Sequence, residues 1–130
     1  MSRNEPGKGL HPQIVHLDLL SIVEFPPHGM SSQVLIRSPH CTYTLLGLAK
    51  GHYIELHDSS GNIVIQVLRG TGMLDLVDSE VELSEGVFLF IPAHVTQGLL
   101  ATSDTALLHC VIHEAPPSSL ATASQAEGPD

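Results

Sequence analysis

From residue 33 to residue 113 the chain is written in short apolar runs, cut at near-regular intervals by turn-forming residues. The runs cover 33–37, 42–49, 53–57, 62–69, 72–77, 81–83, 87–91, 97–102 and 105–113. Between them stand Ser38-Pro39, Lys50-Gly51, Ser59-Ser60-Gly61-Asn62, Gly70-Thr71-Gly72, Asp78-Ser79-Glu80, Glu85-Gly86 and Ser103-Asp104. Gly, Pro, Asn, Asp and Ser end a ladder by setting φ or by bonding their own backbone. Short strands at this spacing predict an all-β sandwich or barrel. A helical turn or two is predicted within residues 17–22. No internal repeat is visible.

Several runs are apolar on both faces. In NIVIQVLRG, Ile63, Ile65 and Val67 point one way and Val64, Gln66 and Leu68 the other. A strand with one solvated face should alternate apolar and polar residues. One face is therefore assigned to the barrel core and the other to a second sheet or subunit, and a homodimer is the economical expectation. The ends differ from the middle. Residues 1–13 and 115–130 are rich in Gly, Pro, Ser and Ala, and they bury too little to offset the entropy of ordering. They are read as flexible tails around a folded unit of 14–114.

Composition narrows the function. Trp is absent and aromatics make up 4%, so the core is aliphatic. Acidic residues outnumber basic ones 14 to 5, for a net charge of −9. Such a surface repels phosphate backbones, and nucleic acid is excluded as a partner. No apolar run reaches the length of a membrane span, and the first residues lack an apolar signal core, so a cytoplasmic protein without a membrane partner is expected. Cys41 and Cys110 match no zinc spacing and are read as buried, reduced thiols. No phosphate loop or dinucleotide fingerprint occurs.

Nine histidines in 130 residues supply the candidate chemistry. Two glycine-led segments organise part of it. Gly51 is followed after five residues by His57, then after one by Ser59, after three by Ile63 and after six by Gly70. Gly86 is followed after five residues by Pro92, then by His94, Gln97 and Ala101. Fifteen residues separate Gly70 from Gly86. This spacing resembles the paired motifs of the cupin superfamily, in its small single-domain, RmlC-like form. The resemblance implies a cupin-type double-stranded β-helix, a jelly-roll barrel.

In that family two His and a Glu of the first motif, with a His of the second, converge on one metal. Carried over residue by residue, only His57 survives; Ser59, Ile63 and Gln97 hold the other three positions. One imidazole and a neutral amide are a poor set for a transition metal. The leading expectation is thus a small-molecule-binding cupin with a degenerate, metal-free pocket lined by His57, Ser59, Ile63, Gln97 and Leu99. His57, whose unperturbed pKa lies near neutrality, is its candidate general acid or base, in an isomerase- or epimerase-like reaction. The alternative is a metal-dependent cupin dioxygenase or isomerase holding a divalent transition metal through His57 and Gln97 with a relocated His94 or His109. His109 and His113 share one face of the last strand. A third reading is a dimeric regulatory or interaction module with an acidic rim. His109 and Cys110, as neighbours on a strand, face opposite ways and form no dyad. His28 and His40 are read as surface residues, and His16 as a satisfied core histidine.

Overall fold

A computed structural model of the chain describes residues 14–56 and 60–113. A one-turn helix α1 (Leu19–Ile22) precedes β1 (Met30–Arg37), β2 (Cys41–Leu48), β3 (Tyr53–Leu56), β4 (Asn62–Arg69) and β5 (Gly72–Asp75). The strands β6 (Glu80–Leu83), β7 (Phe88–Ile91), β8 (Gln97–Ala101) and β9 (Thr105–Ile112) follow. They form a five-stranded sheet in the order β1-β2-β9-β4-β7 and a four-stranded sheet in the order β3-β8-β5-β6. All seven pairings are antiparallel. The helix and each strand fall where the run pattern puts them. β1 starts earlier than its predicted 33, because Ser31 and Ser32 hide its alternation.

Both sheets turn an aliphatic face inward. Ile63, Ile65 and Val67 of β4 are 4%, 0% and 1% exposed, and they join Leu46, Leu48, Leu107, Leu74, Leu83, Leu99 and Ala101 in one core cluster. Burying each of the Ile, Val and Leu side chains among these contributes about 1.5–3 kcal/mol, which drives the two sheets together. The outer face of the larger sheet is apolar too, as the doubled runs predicted. Val64 lies between Phe90 and Cys110 in register, and Phe88 and Phe90 are exposed.

Part of that outer face is covered by the chain's own beginning. The carbonyl of Glu24 lies against Gly47, where a Cβ would collide with it, and it accepts a 2.6 Å hydrogen bond from Ser31 Oγ. Glycine at 47 lets the chain at Glu24 pass close over β2. Gly70 has a different reason to be glycine. Its φ is +96°, and a Cβ there would strike the Asp104 carbonyl. It makes the β4–β5 corner tight enough to nest against the β8–β9 turn.

Two expectations are corrected here. His16 is exposed rather than buried in the core, because α1 and the residues before it lie at the surface. Of the two thiols Cys110 is buried, whereas Cys41 is only half-buried.

Candidate functional site

Register divides the inner face of the larger sheet into layers along the barrel. At one end Thr42, Val111, Ile63 and Ile91 form a row; next come Thr44, His109, Ile65 and Leu89. Farther along, Leu46, Leu107 and Val67 make an aliphatic layer, and Leu48 and Thr105 close the far end. On the facing sheet Leu99 and Ala101 belong to the core, so Gln97, two residues before Leu99, projects the same way. Residues 92–96 connect Ile91 directly to Gln97, which places Gln97 at the Thr42 end. Asn62 Oδ1 holds this connection by accepting the Ala93 N–H at 2.9 Å.

Two polar side chains at this end have buried atoms without partners among the described residues. Gln97 is 3% exposed, and among the described residues neither its Oε1 nor its Nε2 has a hydrogen-bond partner. His109 Nε2 is likewise buried and unbonded. Desolvation holds the His109 imidazole below its ordinary pKa, so it is neutral at neutral pH. A neutral imidazole offers one donor and one acceptor, and a primary amide offers both kinds. Leaving such a group unsatisfied costs about 1–3 kcal/mol. The end of the barrel near Gln97 and His109 is therefore set up for hydrogen bonds that no described residue supplies.

The residues singled out from the sequence sort as follows. Ile63 and Leu99 are core residues on the inner face, at 4% and 1% exposure. Gln97 joins them there, and His109 faces inward from β9 beside Thr44. His57 and Ser59 lie outside the described residues; β3 ends at Leu56, opposite Gln97. His94 is exposed, and His113 sits past the end of β9 with Nε2 3.3 Å from Thr42 Oγ1. His28 and His40 are exposed. Thr42 and Thr44 were not anticipated. Their spacing of two in CTYTLLGL was the available signal, since it puts both hydroxyls on one face.

At the described motif positions the glycine-type backbone is kept and the family's donors are not. Gly51, Gly70 and Gly86 have φ of +90°, +96° and +89°, the conformation that favours glycine at all three. His94 stands where the second motif has its other glycine, and it too has positive φ, +69°. The slot's conformation persists although its residue has changed. The two described ligand positions do not offer the family's donors. Ile63 occupies the carboxylate position as a packed core residue, and Gln97 brings an uncharged amide to the second-motif histidine position. Among the described residues no group of three His, Cys, Asp or Glu is placed to hold a metal ion.

No family model matches the sequence, and no curated protein does. Solved structures do match. A conserved protein of unknown function from Streptococcus pyogenes is similar at 24% identity over 82% of this chain and 91% of its own, with a TM-score of 0.71. A cupin superfamily protein from Desulfitobacterium hafniense gives 22% identity over 79% and 94%, with a TM-score of 0.72. An RmlC-like cupin from Desulfovibrio desulfuricans gives 20% identity over 77% and 97%, with a TM-score of 0.69. At these identities the likeness is one of fold, and the fold is the cupin barrel. No described helix is long and apolar enough to cross a membrane.

Proposed function

We propose that this barrel binds a small uncharged molecule carrying both a hydrogen-bond donor and an acceptor, at the end where Gln97 and His109 face inward. One observation carries the reading: Gln97 is 3% exposed, and both polar atoms of its amide are unpartnered. A ligand that pairs with the amide recovers a desolvation cost of about 1–3 kcal/mol already incurred on folding. His109 adds one further hydrogen-bond position, and Ile63 and Leu99 supply apolar walls. Few polar groups converging among apolar side chains are the usual recipe for a small-molecule site. The ligand is uncharged because a neutral amide and a neutral imidazole offset little of an ion's desolvation.

The variant Gln97→Met tests this. It keeps the volume and removes both polar atoms. Without ligand it should unfold about 1–2 kcal/mol harder than the wild type, because an unsatisfied group is gone. Small amides, lactams and neutral sugars, screened by melting temperature, should include members that stabilise the wild type and leave the variant unmoved. A destabilised Gln97→Met protein, with no member of the panel shifting the wild type, would show that the amide has a purely structural job.

A further inference from the structure

The two outer faces of the barrel differ in charge. On the smaller sheet Leu74, Leu83 and Leu99 point into the core, so the alternate positions point outward. Register puts Glu55, Gly98, Asp75 and Glu80 in one outward row, and Met73 and Glu82 in the next. Four carboxylates therefore share that face. On the larger sheet the outward rows are apolar. Ile91 is buried and Leu89 packs on the core, which turns Phe88 and Phe90 outward from the edge strand β7. Phe90, Val64 and Cys110 make one row, and Phe88, Gln66 and Leu108 make the next. Among the residues paired in β7, β4 and β9, the one Lys, Arg, Asp or Glu is Arg69, at the far end opposite Ala106.

The chain's own beginning crosses this face elsewhere. Glu24 passes over Gly47 of β2, and β7 lies three places farther along the sheet. Phe88 and Phe90 are left 62% and 53% exposed. A contiguous apolar patch of this kind marks an interaction site. From strand rise and spacing, β4, β9 and the short β7 together cover on the order of 350 Å² in projection. Side chains standing off the sheet raise the accessible area above that. Two such faces pressed together bury about 1,000 Å², the floor for a specific interface.

We propose that this face is a homodimer interface: two copies stack larger sheet on larger sheet, with Phe88 and Phe90 as anchors and both acidic sheets outermost. Charge selects the occupant. Each copy carries a net charge of −9, so two copies associate where that charge is absent. Stacked sheets lie about 10 Å apart, which sets the two acidic faces roughly 30 Å from each other. That distance is several times the Debye length of about 8 Å at physiological salt, so their repulsion is screened. A basic partner would instead be drawn to the carboxylates of the smaller sheet. A two-fold contact also needs a patch that complements itself, and a neutral apolar patch does so. Exposed phenylalanines seated in the partner's apolar rows are the residue type that carries such contacts.

The test is sedimentation velocity on the full chain, with hydroxyl-radical footprinting of the same samples. The wild type should pass from monomer to dimer across the micromolar range expected of a small interface. Oxidation of Phe88 and Phe90 should fall as the dimer forms, while Met73 on the acidic face should keep its reactivity. Added salt should tighten the dimer, because screening weakens the repulsion between two like-charged copies. Phe88→Glu with Phe90→Glu sets carboxylates in the patch and should weaken association about 100-fold or more. Glu80→Gln with Glu82→Gln should not weaken it. A wild type that stays monomeric overturns the proposal. Reactive phenylalanines would then mean an open face, and protected ones a face covered by residues 1–13 or 114–130 of the same chain. A dimer that leaves both phenylalanines reactive, or that survives their replacement, uses another face and overturns it as well. So does a dimer that loosens with salt, since ion pairs would be holding it. The wild-type footprint decides this even if the glutamate variant fails to fold.

Discussion

The two ends of the barrel treat buried polar groups in opposite ways. At the far end Thr105 is 0% exposed, and its Oγ1 lies 2.8 Å from the carbonyls of both Thr71 and Ser103. Around it the Thr71 hydroxyl meets Thr102 Oγ1 at 2.8 Å and Ser103 Oγ at 3.1 Å, and the Thr71 N–H donates to Ser103 Oγ. The Lys50 N–H donates to Asp104 Oδ1 at 2.9 Å, tying a third turn to the same corner. At the near end the amide of Gln97 and Nε2 of His109 are equally enclosed and have no partner among the described residues. A hydroxyl that is satisfied locks a corner. A polar group that is buried and left open lowers stability. The contrast gives one end a structural job and is the ground on which binding is proposed at the other.

Substitutions break the comparison most sharply at the satisfied end. Thr105→Val keeps the shape and removes the hydroxyl, taking its hydrogen bond from the Ser103 carbonyl while the Thr71 carbonyl keeps the Thr102 N–H, and should cost about 2 kcal/mol in urea unfolding. A neutral result would mean that the corner does not depend on that group, and the contrast would lose its structural half. This loss is opposite in sign to the gain expected for Gln97→Met.

A smaller effect should come from pH at the open end. Burial lowers the His109 pKa from 6.5, so the unfolded chain takes up this proton first as the pH falls. The stability tied to a neutral His109 is complete above that value. It is lost progressively below it, until the folded-state pKa has also been passed. Urea midpoints measured at neutral pH and near pH 5 should therefore fall farther for the wild type than for His109→Leu. Equal falls would mean that His109 is solvated in the folded state.

The smallest effect is predicted at the connection between the ends of β7 and β8. His94 holds φ at +69°, which costs a non-glycine residue roughly 1–2 kcal/mol. His94→Gly relieves that strain and gives back most of it as unfolded-chain entropy, for a net gain of about 0.5 kcal/mol. His94→Ala should lose stability. If both variants melt alike, the connection does not hold the positive φ in solution.

The strand plan was legible because turn chemistry is local: Gly70, Gly86 and the Ser-Asp pairs announce a corner without knowledge of what packs on it. The direction of each strand's two faces was less legible. β9 is apolar on both sides, so TALLHCVI alone does not say whether His109 or Cys110 faces the barrel. Only the register with Ile65 and Thr44 decides it. Gly47 was equally silent, since its need for a missing Cβ comes from Glu24, 23 residues earlier in the chain, crossing over it. The motif spacing led to Gln97 and Ile63, but spacing carries no information on satisfaction. That Gln97 is buried and open is a property of its neighbours' shapes. Of the residues at the motif's ligand positions, His57 and Ser59 fall outside the described part of the fold.

One feature of the sheet order bears on how the chain is made. β9, the last strand, lies between β2 and β4 in the middle of its sheet. A ribosome delivers it after the other described strands. Until 105–112 emerge, β2 and β4 each lack a neighbour, and Leu46, Leu48, Ile65 and Val67 have no Leu107 to pack on. The closing contacts join residues as far apart as Cys41 and Ile112, which places folding among slow, non-local topologies. A nascent chain stalled before Thr105 would resemble an open, sticky sheet more than a partial barrel, and chaperones that hold exposed strands would be its natural attendants.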